Sequence, residues 1–279
     1  MQILMLILGI TAGLIALVWL GLQVSANRFP RLEVSPVTEF VPVPDSLPDP
    51  VRRFAHAVYG DQTPVVQMAI VQGRASLAPF GLPMPTRFRF YYDAARSSHY
   101  HDIQTTWFTL TFMRIHERNL SGHTMLDLGP IGHVEDQPKT NSAGIQGYWS
   151  EVLAWVPAIP LIDARVRWEA VDATTARLYL PGLDDAEAFT VTFDPDTGLI
   201  ATLDTMRYQS EDKADRWAWH NRAHSWTALD GTPTMTQAST QWNTMTPWAQ
   251  WRVEQVALNV DVSARLAVFG GNLPSPAGS

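Results

Sequence analysis

Residues 3–22 carry no charged side chain and are apolar throughout except for Thr11 and a few small residues. A chain segment of this kind satisfies its backbone in hydrocarbon only as an α-helix. At about 1.5 Å per residue the run reaches roughly 30 Å, the thickness of a bilayer's apolar core. Trp19 lies near one end, where interfacial aromatics concentrate. Residues 1–26 therefore read as a transmembrane anchor or a signal segment of a single-pass cell-membrane protein. The apolar run is longer than a usual signal core, which favours retention, whereas Val24-Ser25-Ala26 resembles a small-residue cleavage site. Arg28 and Arg31 follow the run and no Lys or Arg precedes it. The positive-inside rule then favours a cytoplasmic domain, while the cleavage-like site favours export. The side of the membrane stays open.

Composition narrows the possibilities for the rest of the chain. A formal charge of −7 opposes nucleic-acid binding, which needs clustered cations to displace counterions. Lys139 and Lys213 are the only two lysines, so no polybasic lipid-headgroup patch is present. Cysteine is absent, which excludes disulfides, thiolate metal sites and a cysteine nucleophile. Eleven tryptophans imply broad, rigid apolar surfaces, in a core or around a pocket.

Residues 27–48 hold five prolines and read as an extended, semi-rigid spacer between membrane and domain. Phe40-Val41 within it also suits a sheet edge. The globular domain spans 49–265, and 266–279 reads as a loose tail. Its first element is a short helix: Asp49 suits the N-cap, Pro50 the first position and Gly60 the C-terminus, with Val51, Phe54, Ala55 and Val58 on one face. Strand-like alternation continues in 86–93, 107–115, 165–171 and 189–193. Asp194-Pro195-Asp196-Thr197-Gly198 and Asp230-Gly231 each mark a hairpin, the second joining 217–229 to 232–243, and a last strand covers about 248–262. One segment departs from this pattern. In 141–156, Ile145, Trp149, Val152 and Val156 share a helical face, and Pro157 and Pro160 stop the helix. The expectation is a mainly β (β-rich α+β) fold in which a curved antiparallel sheet or half-barrel wraps one central helix. Ile145, Trp149 and Val152, with Trp168 opposite, are the expected lining of a ligand cavity between helix and sheet, if they are not simply core.

The string Leu47-Pro48-Asp49-Pro50-Val51-Arg52-Arg53-Phe54 resembles the opening of DUF6544, a bacterial and archaeal family of unknown function. So do Tyr148-Trp149-Ser150-Glu151-Val152-Leu153 with Trp155-Val156-Pro157, and the run Val166 to Ala176 is similar to the family's most recognisable strand. The resemblance covers roughly 47–262. It implies a lipoprotein-carrier-like half-barrel around an apolar cavity and assigns no catalytic residue. Residues 116–140, rich in Gly and His, depart from the family pattern.

Motifs for chemistry are few. There is no Gly-x-Ser-x-Gly elbow and no phosphate loop, and no cofactor motif is present. Asp184-Asp185, Asp194/Asp196 and Glu211-Asp212 fall in turns, where carboxylates are ordinarily solvated. His99 and His101 are the weak metal candidates. On a strand they share a face about 7 Å apart, and His116, Glu117 or His123 would supply a third ligand. His220 and His224, about 13 Å apart on a strand, are too far apart to share an ion. Trp242, Trp248 and Trp251 suit a cavity mouth, a headgroup contact or the core. The reading is a membrane-tethered protein that binds a hydrophobic small molecule or lipid without chemistry. A metal-dependent hydrolase using His99 and His101 and a structural subunit of a membrane complex are the alternatives.

Overall fold

The computed structural model describes residues 2–79 and 81–268. Two short strands, β1 (Phe40–Pro42) and β2 (Gln62–Pro64), pair beside helix α2 (Asp49–Tyr59). Six strands then come in sequence: β3 (Met68–Leu77), β4 (Met84–Asp93), β5 (Ser98–Trp107), β6 (Leu110–Leu120), β7 (His123–Asp127) and β8 (His133–Glu135). Helices α3 (Pro138–Trp155) and α4 (Ala158–Ile162) separate them from β9 (Arg167–Ala170), β10 (Thr175–Tyr179), β11 (Phe189–Phe193) and β12 (Ile200–Arg207). The long strands β13 (Trp217–Leu229), β14 (Thr232–Trp242) and β15 (Ala249–Leu258) complete the order.

These thirteen strands form one antiparallel sheet in the order β8-β7-β6-β5-β4-β3-β15-β14-β13-β12-β11-β10-β9. The chain steps outward from the centre to β8, crosses the sheet through α3, and steps back from the far edge to β15, which pairs with β3. This path forces α3 across one face. It also requires curvature. α3 touches β6 and β7 near one edge and β12 and β14 in the other half. In a flat sheet with strands about 4.8 Å apart, β7 and β12 would stand roughly 38 Å apart, far beyond a helix of about 10 Å diameter. The fold is thus mainly β, with a large curved antiparallel sheet around a central helix and an apolar helix at its N-terminal end.

Local signals account for most element boundaries. Gly60 ends α2 with φ +69, and its N–H donates to the His56 carbonyl at 2.9 Å. Asp194 accepts the Thr197 N–H at 2.8 Å, and Gly198 takes φ +74 to enter β12. Asp230 and Gly231, both at positive φ, turn β13 into β14. The expectation of one strand over 107–115 is corrected. Phe108 and Thr109, at φ +46 and +68, make the tight turn between β5 and β6. Neither is a usual turn residue, so alternation alone ran through the corner.

The spacer also differs from its expectation of free extension. The Pro30 carbonyl accepts from Gln72 Nε2 at 3.1 Å and Arg89 Nη2 at 3.0 Å. Leu32 exchanges two bonds with the Gln255 amide, at 2.9 and 2.8 Å. The Phe29 ring lies under the guanidinium groups of Arg87 and Arg89, 4.6 Å from each. Gln72, Arg89 and Gln255 are buried polar side chains on the outer face of the central strands and require partners. The stretch around Pro30 and Leu32, which joins no strand ladder, supplies free carbonyls to them. Val262 and Leu266 cover the remaining outer face over Ile70, Tyr91 and Tyr100. Leu266 belongs to helix α5 (Ser263–Ala267), so the expected tail begins in helix, and its residues 269–279 lie outside the described residues.

Helix α1 (Gln2–Leu22) has exposed side chains until Gly21. There Trp107 Nε1 donates to the Val18 carbonyl at 3.2 Å and the Phe108 N–H to the Gly21 carbonyl at 3.1 Å. A Cβ on Gly21 would collide with the Trp107 indole, so this contact needs glycine.

Candidate functional site

The period of two along β5 sends His99, His101 and Ile103 to the inner face and Tyr100, Asp102 and Gln104 to the outer one. Register then selects their neighbours. On β6, Glu117 stands directly opposite His101 and Asn119 opposite His99. On β4, Phe90 and Tyr92 occupy the same two positions from the other side. Facing side chains across a ladder lie close enough to interact directly. His99 Nε2 is 3.2 Å from Glu117 Oε1, and His101 Nδ1 is 3.8 Å from Glu117 Oε2. The two imidazoles stack with centroids 4.2 Å apart, and His101 also stacks on Phe90 at 3.8 Å.

α3 closes the cluster from above. Glu151 Oε2 lies 2.8 Å from His101 Nε2 and accepts the Tyr92 hydroxyl at 2.9 Å. Burial disfavours the His101 cation, but Glu151 and Glu117 together outweigh it and raise its pKa to about 9. For His99, burial and the neighbouring His101 charge dominate and lower the pKa. Burial also opposes ionisation of Glu117, yet the two imidazoles overcome it and hold the carboxyl well below its usual range. Near neutral pH the cluster thus holds a neutral His99 beside a charged Glu117–His101 pair.

A cavity of about 160 Å³ opens between this cluster, α3 and the far half of the sheet. His101, Glu117, Glu151 and Arg207 form its polar end. Trp155, Trp219, Trp242, Trp248 and Trp251 dominate the apolar walls. The Arg207 guanidinium lies 4.2 Å over the Trp219 ring, and among the described residues no carboxylate pairs with it within 4 Å. Burial lowers its pKa, while the charges of Glu117 and Glu151 work against that shift. A second cavity, about 220 Å³, meets the first at Glu117, Arg207 and Trp242.

The expected site residues divide sharply. His99, His101 and Glu117 come together. His116 points to the outer face, where its Nδ1 meets the Tyr100 hydroxyl at 2.8 Å, and His123 pairs with Asp136 in solvent. His220 contacts Asp204, and His224 contacts Ser239. Trp242, Trp248 and Trp251 all line the cavity, but Ile145, Trp149, Val152 and Trp168 do not. Trp149 and Val152 are fully buried core, and Trp168 donates its indole N–H to the Pro160 carbonyl at 3.1 Å. Of α3 the cavity meets Trp155, one of its walls, and a group of four, Gly147, Ser150, Glu151 and Ala154. At about 100° per residue these four lie on the opposite side of the helix from Ile145, Trp149 and Val152. Three of the four, Gly147, Ser150 and Ala154, are small and leave room beside the sheet. The sequence reading missed Glu151, although a charge within a helix expected to be buried is an uncommon placement. Arg207 carried no comparable signal.

The model of the family of unknown function DUF6544 matches residues 37–252. The chain belongs to this family. The match includes β5, β6, α3 and β12, so every side chain of the cluster and Arg207 lies within the family's region. Among curated proteins, none matches the chain. Two crystal structures are similar in arrangement. A DUF1329 family protein from Desulfovibrio piger ATCC 29098 is 14% identical, with a TM-score of 0.44 over 72% of this chain and 90% of that one. MucB is 13% identical, with a TM-score of 0.27 over 78% of this chain and 61% of that one. Likeness at this level carries no ligand or activity across to the DUF6544 chain.

Proposed function

We propose that this DUF6544 protein is a membrane-tethered receptor that binds a small amphipathic ligand in the tryptophan-lined cavity beside α3, without chemistry. The observation that carries the reading is the cavity itself, with five tryptophans around it and, at its polar end, Arg207, a cation with no ion pair among the described residues. Such a pairing of apolar wall and charged end orients a ligand by its head while burying its body. The first cavity, at about 160 Å³, is close to the roughly 150 Å³ that holds one benzene. The buried part of the ligand is therefore one ring or a short acyl segment rather than a two-chain lipid.

Helix α1 supports the tether. Its mean hydropathy over an 18-residue window is 2.7, and that window is unburied by the domain. The β5–β6 hairpin that holds its last turn exposes Leu110 and Phe112, apolar side chains suited to the membrane interface.

Calorimetry of the full chain in detergent with 4-phenylbutyrate, a water-soluble amphipathic acid, tests the receptor. Saturable binding is expected in the wild type, weaker in Arg207→Gln and lost in Gly147→Leu, whose side chain fills the cavity. Equal binding by wild type and Gly147→Leu, or no saturable binding at all, would overturn it.

A further inference from the structure

We infer that His99, His101 and Glu117 form a binding site for one divalent transition-metal ion of the zinc class, with an open coordination position facing the tryptophan-lined cavity. One ligand atom from each of the three residues lies within 4.8 Å of the others. Four ligands held tetrahedrally at about 2.1 Å from an ion stand roughly 3.4 Å from one another. His99 Nε2 stands 3.2 Å from Glu117 Oε1, close to that spacing, and His101 Nδ1 stands 3.8 Å from the other oxygen of the same carboxylate, Oε2. His99 Nδ1, by contrast, is buried without a hydrogen-bond partner among the described residues.

The surroundings match a metal site as well as the three ligands do. His101 turns its other nitrogen to Glu151 at 2.8 Å, and Glu151 is itself fixed by the Tyr92 hydroxyl at 2.9 Å. A carboxylate behind a ligating imidazole sets its tautomer and raises its basicity. Stacking on Phe90 and on His99 fixes the ring plane. Two imidazoles and one carboxylate suit zinc and neighbouring first-row ions rather than calcium or magnesium, which take oxygen ligands.

His101 and Glu117 reach the cavity and His99 lies behind them, so the three protein ligands occupy one side of the ion. Three protein ligands with a free position describe a site that takes water or an anionic headgroup. The inference deepens the receptor reading. It makes the ligand's head a carboxylate or similar donor, held between the ion and Arg207.

The test uses the full chain in detergent, stripped with chelator and titrated with Zn²⁺ and Co²⁺. The expected result is about one ion per chain, visible d–d absorption from Co²⁺ in a low-symmetry nitrogen and oxygen site, and a higher Tm with Zn²⁺. Glu151→Gln, behind the ligands, should weaken Zn²⁺ binding by about 10- to 100-fold. His220→Ala should leave it unchanged. Wild-type affinity no greater than that of the His99→Ala/His101→Ala double variant would overturn the inference. Should that variant not fold, the absence of Co²⁺ d–d bands in the wild type overturns it alone. Phenylbutyrate binding by chelator-treated protein separates the two readings, since it survives failure of the metal site.

Discussion

The two sides of α3 do opposite work. On one side Ile145, Trp149 and Val152 pack into the main core, where Trp149 and Val152 are completely buried. On the other, Gly147, Ser150, Glu151 and Ala154 face a cavity and a buried charge cluster. Along the cavity side itself, two glycines one turn apart differ as sharply. A Cβ on Gly144 would collide with Thr124 Oγ1 and sit 2.8 Å from Asn119 Nδ2, whereas one on Gly147 would stand 4.0 Å from Arg207 Nη2, its nearest neighbour. The first glycine allows close approach of helix and sheet, and the second leaves room. Stability is concentrated on one side of the helix and binding capacity on the other.

The packed side should give the largest effect. Trp149→Ala is expected to cost about 3–5 kcal/mol, measured by reversible denaturant unfolding. A loss under about 1 kcal/mol would mean that this side collapses easily and that the contrast is overstated.

The charge cluster should come next. In chelator-treated protein the His101 pKa lies above the ordinary histidine value of 6.5, at about 9. A raised pKa stabilises the fold fully below the unfolded value and loses that contribution as pH rises through the folded one. Stability should therefore decline between about pH 6.5 and 9, by up to about 3 kcal/mol. Glu117 works with the other sign: its depressed pKa contributes above the unfolded carboxyl value and fades as pH falls below it. Thermal unfolding across pH checks both limbs, and His101→Gln should flatten the alkaline one.

Gly144→Ala is expected to destabilise by about 1–3 kcal/mol, because the Asn119–Thr124 hydrogen bond at 2.7 Å must give way. The smallest change belongs to Gly147→Ala, neutral to about 1 kcal/mol stabilising, since a helix interior favours alanine and the site has space for it. Equal thermal shifts for the two glycines would mean that the spacing between helix and sheet does not change along this side of α3.

Periodicity made much of this legible. Proline stops and a helical face located α3 within a few residues, although its first turn begins at Pro138. Asp-Gly and Asp-Pro-Asp-Thr-Gly turns marked two hairpins, and alternation put His99 and His101 on one face. The spacer was misread in one respect. Its prolines predict extension, and the chain is extended, but partners for its carbonyls lie on strands far along the sequence, as with Gln255 bonding Leu32. The cavity was misassigned for a related reason. Bulk and apolarity identify what is buried, but not which buried side chains border a cavity.

By itself the sequence determined the apolar run of α1, the mainly β class, the helix that interrupts the strands, and the pairing of His99 with His101. Each arises from backbone geometry repeated over a few residues, which a linear pattern records. Tertiary structure alone decided that Glu117 would stand opposite His101, that Glu151 would descend on them from α3, and that Arg207 would face a space walled by tryptophan. Register, sheet curvature and the rotation of α3 set those meetings. They come from packing the whole chain, so no local stretch encodes them.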